Sequence, residues 1–407
     1  NEILNGTTVN TNSAYISKKL AQIGIDVNYI SVIPDSNKII LSELRRAFSK
    51  NDIIIVTGGL GPTHDDITKF TIAKFFNSDL IINQSILSDI KLFFEKRGRI
   101  LTETNRLQAL VPRIAKVIRN LNGTAPGLWI EKDGKIFIAM PGVPHEMKFM
   151  VDNYIIKKLT QKVKDNKRFI KVKEYMTTGI PESNLYDRIK DIINSFPTFE
   201  VAFLPNQFGV KIRVKIIAKS RKEGINTISL FEEKLFNRVG EFIYSIGDKH
   251  IEEVIGELLT KKKLKISTAE SCTGGLVGHR LTNVNGSSNY FLGGVVSYDN
   301  ESKINLLKVN PRSIDKYGAV SEKVAKEMVL GLINKFKSDI GISLTGIMGP
   351  TGGTKDKPVG LVFIAIYFKD EIILKKVLFG DNRILNKDRT SQFALDLLRR
   401  KLLNLPI

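Results

Sequence analysis

Asp52-Ile53-Ile54-Ile55-Val56-Thr57-Gly58-Gly59-Leu60-Gly61-Pro62-Thr63 is a short apolar run that stops abruptly on a glycine-rich turn. Four consecutive β-branched residues with no polar alternation predict a strand buried on both faces. The next residues, His64-Asp65-Asp66, open a helical pattern that continues to residue 76. Outward from this strand, residues 12–24 read as a helix with Ile16, Leu20 and Ile23 on one face and Gly24 as the stop. Residues 26–33 read as a strand, 38–50 as a helix and 135–140 as a strand. Strands alternating with helices predict a parallel or mixed sheet covered on both faces. The first 160 residues are therefore expected to be an α/β domain.

A charged stretch at 157–173 marks a boundary. Beyond it a helix is expected at 182–195, a strand at 209–219 and a helix at 226–239, making a small α+β module over 165–248. The α/β pattern then restarts over 249–407. Helices are expected at 251–262, 321–335 and 388–402, with one more starting at Ser271. Strands are expected at 264–267, 294–298, 340–344 and 360–368. A chain of 407 residues suits three domains of ordinary size, and no internal repeat or low-complexity tract argues otherwise.

Composition narrows the function classes. There are 62 Lys+Arg against 42 Asp+Glu, a net charge of +20. Such a field suits anionic ligands, yet the basic residues are spread along the chain without interleaved aromatics, unlike a single-strand binding groove. Most of the charge reads as solvated surface lysine, and nucleic acid is not an expected partner. A single cysteine, Cys272, excludes an intramolecular disulfide and a cysteine zinc site, and it fits a reducing compartment. The longest apolar run, 361–368, falls far short of the ~18 residues of a membrane span. With no secretory leader visible, a cytoplasmic location is expected. The chain opens at Asn1 rather than a Met, so an upstream segment is expected.

Two groups of loops carry the chemistry. In the first domain, Gly58, Gly59, Gly61 and Thr63 follow a buried strand, where exposed N–H groups and a helix N-terminus favour phosphate. Asp65 and Asp66 offer hard oxygen ligands for a divalent cation. The alternative is a glycine turn whose aspartate caps the next helix. Gly142 and Glu146, in Met140-Pro141-Gly142-Val143-Pro144-His145-Glu146-Met147, sit at another strand-to-helix junction; Glu146 suits the same ligand site or a helix first turn. Asn122-Gly123-Thr124-Ala125-Pro126-Gly127 is a further tight loop.

In the last domain, Ser267-Thr268-Ala269-Glu270-Ser271-Cys272-Thr273-Gly274-Gly275 places small hydroxyl residues where a helix N-terminus can hold an oxyanion. Ser271 as nucleophile needs a base. His279 lies eight residues further along the same expected helix and is poorly placed. Lys303, in Tyr298-Asp299-Asn300-Glu301-Ser302-Lys303, is the better candidate for a Ser–Lys site if burial lowers its pKa. Cys272 is the competing nucleophile, but it has no histidine partner and reads more simply as a small buried apolar residue. Thr345-Gly346-Ile347-Met348-Gly349-Pro350-Thr351-Gly352-Gly353-Thr354, with Lys355 and Lys357 beyond, suits a phosphate or is a long surface connection. Arg383 and Arg389 read as solvated, within reach of a phosphate.

Taken in order along the chain, these strings resemble the CinA (competence/damage-inducible protein A) family. The resemblance rests on Asn1 to Gly6, Asn10 to Asn12, Thr57 to Asp66, Gly123 to Gly127 and Pro141 to Met147 in the first domain. In the last it rests on Ala269 to Gly275, Tyr298 to Lys303 and Thr345 to Gly360. It implies a molybdopterin-binding-like three-layer first domain with metal-dependent ADP-ribose pyrophosphatase activity, the divalent cation lying near Asp65 and Asp66. It implies a KH-like middle domain and a C-terminal α/β nicotinamide-nucleotide amidohydrolase domain needing no cofactor. Carried over by position, Ser271 is the nucleophile, with Lys303 and Tyr298 its partners. Thr273, Gly274 and Gly275 together with Thr345, Gly346, Gly349, Gly352, Gly353 and Thr354 bind substrate. The implied substrates are nicotinamide mononucleotide and ADP-ribose, the implied assembly a homodimer. Asn1, Met348, Asn285 and Asp299 depart from the family pattern, and none removes a proposed catalytic group. The alternatives are a first domain that only binds a nucleotide or pterin, and a DNA-associated competence factor.

Overall fold

The computed structural model describes residues 1–63, 66–163 and 169–407, and it divides into two compact units, Asn1–Val172 and Lys173–Ile407. In the first unit, Ile53–Thr57 pairs in parallel with Lys135–Met140, which pairs antiparallel with Gly127–Lys132, which pairs antiparallel with Lys116–Ile118. The sheet is thus mixed, with one parallel pair. Alternation sorts its residues onto two cores. Leu128, Ile130, Phe137 and Ala139 pack with Ile40, Leu44 and Ile72. Trp129, Ile138 and Met140 pack with Ile16, Leu20 and Met150 on the other side. Helices Thr11–Gln22 and Pro144–Met150 cover one face, Asn37–Lys50 and Thr68–Phe75 the other.

Three local expectations change here. Residues 26–33 do not form a strand, and Val27, Tyr29, Ile30 and Val32 are exposed. A strand exists only through its ladder, and Ile53–Thr57 bonds to Lys135–Met140 alone. The helix expected from Asp66 begins at Thr68, because the Asp66 carboxylate turns back to accept from Thr63. The sequence reading also passed over the hairpin at Asp133-Gly134, a two-residue turn with both residues at positive φ (52° and 73°).

The second unit holds two sheets. The smaller runs Ile243–Ile246, Phe169–Thr177, Gly209–Ala218, Phe199–Asn206, with helices Glu182–Asn194 and Arg221–Val239. The latter starts five residues before the expected 226, because the Ser220 side chain accepts from the Glu223 N–H (3.2 Å) and caps it. The larger sheet runs Phe291–Val296, Ile266–Glu270, Ile340–Gly346, Leu361–Phe368, Glu371–Leu378; the first three are parallel and the last two antiparallel. Its parallel strands are in register at their carboxyl ends, Glu270 opposite both Val296 and Leu344. Ser271 and Ser297 therefore leave the sheet beside Thr345, at the end where open α/β sheets place ligands.

Two shifts in this domain come from burial of polar groups and a third from glycine backbone. The strand expected at 264–267 is Ile266–Glu270, since Ser267, Thr268 and Glu270 are buried with the apolar residues. The helix expected at 388–402 is Arg383–Leu403, capped by Asn382; buried Asn386, Thr390 and Ser391 hide its apolar stripe. The helix expected from Ser271 starts only at Leu276, because Gly274 and Gly275 take positive φ. Among the described residues no helix is long and apolar enough to cross a membrane.

Candidate functional site

Ser271, Tyr298, Lys303, Thr345 and Gly346 line one cavity of about 230 Å3, together with Cys272, Asn300, Ala319, Val320, Met348 and Arg383. Five sequence-derived positions from three separate strings meet because their strands end in register. Ser271 lies in the loop that leaves Ile266–Glu270, and its N–H donates to Leu344 O at 3.0 Å, tying the loop to the neighbouring strand. The loop is held from below by Glu270, 1% exposed. Its carboxylate accepts from Thr273 Oγ1 (2.7 Å), Val277 N (3.0 Å) and Gly278 N (2.8 Å). A carboxylate at a helix N-terminus satisfies orphan donors and opposes the helix dipole. Those two helical N–H groups are therefore taken, and an oxyanion must be served by N–H groups of the loop itself.

Lys303 is 2% exposed on helix Asn300–Leu307. Its Nζ donates to the carbonyls of Ser297 (2.9 Å), Tyr298 (3.2 Å) and Asp299 (3.3 Å). Burial drives its pKa below the ordinary lysine value, partly opposed by Asp299. Asp299 is the cap of that helix and accepts from Ser302 N at 2.7 Å; these bonds to Ser302 lower its pKa. Cys272 lines the cavity, but burial pushes its thiol up to about 12, which removes it as a thiolate nucleophile near neutrality. His279 is exposed and partnered with Asn283, on a helix that begins after the loop.

Several other sequence-derived positions are not among the cavity-lining residues. Thr273 is fully buried and spent on Glu270. Gly274 and Gly275 shape the turn, with Lys387 Nζ 3.5 Å from where a Cβ on Gly274 would lie. Gly349, Gly352, Gly353 and Thr354 belong to the loop beyond Met348. A side chain on Gly349 would strike Val359 and the Asp381 carbonyl, and one on Gly353 the Val359 N–H. Thr345 lines the cavity with its hydroxyl bonded to Ala319 O at 2.9 Å. Arg389 is exposed, and Lys357 is bonded to Tyr317 O. Arg383 is the residue that the sequence reading undervalued. It donates to Tyr298 Oη (2.8 Å) and Gly349 O (3.1 Å), placing a guanidinium on the cavity wall. Only the earlier start of its helix brings it there.

In the first unit, the glycine positions mark close approaches. Gly58 faces Gly142, whose carbonyl accepts from Asn12 Nδ2 at 2.7 Å. A Cβ on Gly59 would strike Thr68, one on Gly61 the Asp66 carboxylate, and one on Gly123 the Glu146 carboxylate. Asp66 accepts from Thr63 N (2.9 Å) and Thr63 Oγ1 (2.5 Å); Glu146 accepts from Asn120 Nδ2 (2.6 Å). Asp65 lies outside the described residues. Among those described, no three His, Cys, Asp or Glu side chains cluster as a metal cage. One or two carboxylates completed by substrate phosphates remain the arrangement typical of magnesium, so Asp66 fits a cation shared with a phosphorylated ligand. Lys69, 3% exposed, donates to Leu107 O at 3.0 Å, and burial lowers its pKa to about 8.

Comparison with known proteins agrees with these folds. Residues 1–161 match the "Probable molybdopterin binding domain" model, 172–245 the damage-inducible protein CinA KH domain and 248–402 the CinA C-terminal domain. Fold and site thus define a three-domain protein of molybdopterin-binding-like, KH-like and CinA C-terminal domains. Relatives named for competence-damage inducibility come from Clostridium botulinum (strain Okra / Type B1), 44% identical over 98% of this chain and 97% of that one, and from Clostridium beijerinckii, 43% identical over 99% and 97%. The chain belongs to the competence-damage inducible protein (CinA) family. A solved CinA superfamily protein from Klebsiella pneumoniae is 29% identical over 38% of this chain and 96% of its own, with a TM-score of 0.37.

Proposed function

We propose that the C-terminal domain hydrolyses the carboxamide of nicotinamide mononucleotide to nicotinate mononucleotide and ammonia. The observation that carries this reading is the convergence of Ser271, Lys303, Tyr298 and Arg383 on one cavity. Burial favours the neutral amine of Lys303, whose lone pair takes the Ser271 proton as Oγ bonds to the carboxamide carbon. The carbonyls of Ser297, Tyr298 and Asp299 accept from the Lys303 ammonium that proton transfer produces and hold it in place. Loop N–H groups hold the oxyanion. The C–N bond breaks, ammonia leaves with the proton from Lys303, and water cleaves the acyl ester to restore Ser271. Arg383, fixed by Tyr298 and Gly349, supplies the cation for the nucleotide phosphate. The test is ammonia release from nicotinamide mononucleotide by the full chain. Ser271→Ala is expected to abolish it while leaving the unfolding transition in place; undiminished release rejects the assignment.

The first domain is proposed as a metal-dependent ADP-ribose pyrophosphatase that splits its substrate into AMP and ribose 5-phosphate. A Cβ at Gly58 would meet open space, where the loop backbone can approach a pyrophosphate, and Asp66 would hold a divalent cation that neutralises its charge. A second reading, binding without turnover, is favoured by the existing engagement of Asp66 and Glu146 with Thr63 and Asn120. Turnover of ADP-ribose with and without added magnesium separates the two.

A further inference from the structure

Helix Leu276–Thr282 begins where the nucleophile loop ends, and one turn along it lies Arg280, 7% exposed. Its Nη1 donates to Ser391 Oγ (2.8 Å), and its Nη2 to Gln392 Oε1 (2.8 Å) and Glu252 Oε2 (2.6 Å). Ser391 and Gln392 belong to Arg383–Leu403, the helix whose first residue is the cavity arginine. At 1.5 Å per residue, the tie lies about 12 Å along that helix from Arg383. Arg280 therefore ties the helix that follows the Ser271 loop to the Arg383 helix, two elements that both lead into residues lining the cavity. The Gln392 Nε2 has no hydrogen-bond partner among the described residues, so the bond from Arg280 to Oε1 is what orients that amide.

The outer face of this guanidinium is covered by the middle domain. The Phe208 ring lies 4.9 Å from it. Phe208 sits in the tight connection between Phe199–Asn206 and Gly209–Ala218, held by its own N–H on Asn206 Oδ1 (2.8 Å) and its carbonyl on Thr178 Oγ1 (2.9 Å). Further along the same helix, Arg399 donates to Glu241 O at 2.7 Å, and Arg400 pairs with Glu241 and stacks near Phe242. The middle domain thus grips the helix at its far half and shields the clamp at its middle. A buried ion pair is strong only while water is kept out, and it loosens when one partner becomes hydrated.

We propose that Arg280 is a positioning residue for the carboxamide-hydrolysing site, and that the middle domain, through Phe208, sets how firmly it holds that site together. The proposal rests on the amidohydrolase reading, but one arm of its test does not. Cys272 is the only cysteine in the chain and lies in the Ser271 loop, so its reaction with methyl methanethiosulfonate reports loop opening independently of turnover. Phe208→Ala is expected to raise that rate, and the KM for nicotinamide mononucleotide, by about threefold to tenfold, with a smaller change in kcat. Phe208→Tyr is expected to restore both. Phe203→Ala removes the nearby contact with Tyr186 (5.8 Å) without touching Arg280, and it is expected to match wild type. An unchanged Cys272 rate in Phe208→Ala, or an equal increase in Phe203→Ala, overturns the proposal. If the wild-type chain releases no ammonia, the amidohydrolase reading falls and the Cys272 rates alone decide the coupling.

Discussion

Replacing Glu270 by Gln tests the architecture of the site more directly than removing the nucleophile. The side chain is the same size, so packing is preserved. What changes is the match of donors and acceptors. The carboxylate accepts three hydrogen bonds, two on Oε2 and one on Oε1, from Thr273 and from the first turn of helix Leu276–Thr282. A carboxamide keeps one acceptor and turns the other position into an NH2 that faces donors. At least one buried N–H or hydroxyl then loses its partner, at about 1.5–3 kcal/mol for a bond to a charged group. Loss of the charge facing the helix N-terminus adds about 0.3–1 kcal/mol. The expected cost is about 2–4 kcal/mol by these figures, read as a lowered urea midpoint. Because the displaced groups flank Ser271, ammonia release should fall by about 100-fold, mainly in kcat, as for loss of an oxyanion-hole donor. A Glu270→Gln protein with wild-type midpoint and turnover would refute the view that this carboxylate builds the loop.

Other measurements follow from the same geometry. Lys303 must be neutral to accept a proton and its pKa lies below the ordinary lysine value, so kcat/KM should rise with pH and level off before the normal lysine range; Lys303→Met should remove both the activity and the dependence. Arg383→Gln should raise the KM for nicotinamide mononucleotide by about 10–100-fold, the worth of a charged hydrogen bond, while the deamidation of a phosphate-free analogue changes little. Lys69 has a folded pKa of about 8 against 10.5 for an ordinary lysine. Between those values the unfolded chain binds the proton that the native chain has lost, so stability should rise with pH across that window. The gain relative to Lys69→Met should be about 3 kcal/mol, measured by denaturation at pH 7.5 and 10.5. An identical pH trend in the two proteins would show that Lys69 is charged and compensated in the native state.

Elements with a strong period were legible before any coordinates. The helix expected at 251–262 is Ile251–Lys262, and the strand at 135–140 is Lys135–Met140. Short elements were not: Leu80–Ile82 and Leu110–Pro112 are three residues each, too short to show alternation, and owe their existence to pairing with each other. The exposed run at 26–33 errs the other way, with strand composition and no ladder. Of the cavity residues, Ser271 and Lys303 were legible from hydroxyl and amine groups next to strand ends and Thr345 from its glycine-rich loop, while Tyr298 came only from the family resemblance. Glu270 and Arg383 were not legible. One reads as a polar break in a strand, the other as a surface charge before a helix.

The sequence by itself determined the three-domain organisation, the α/β character and the burial of Cys272, and it singled out Ser271 and Lys303 as the candidate pair. These follow from local composition and from the residue types that chemistry requires. Tertiary structure decided which of those residues meet. Parallel register at Glu270, Val296 and Leu344 brings three loops to one edge. A buried carboxylate fixes the nucleophile turn, and an arginine from the last helix completes the wall. Register and the cavity wall depend on partners on other strands and helices, up to 85 residues away in sequence, and no local pattern encodes them.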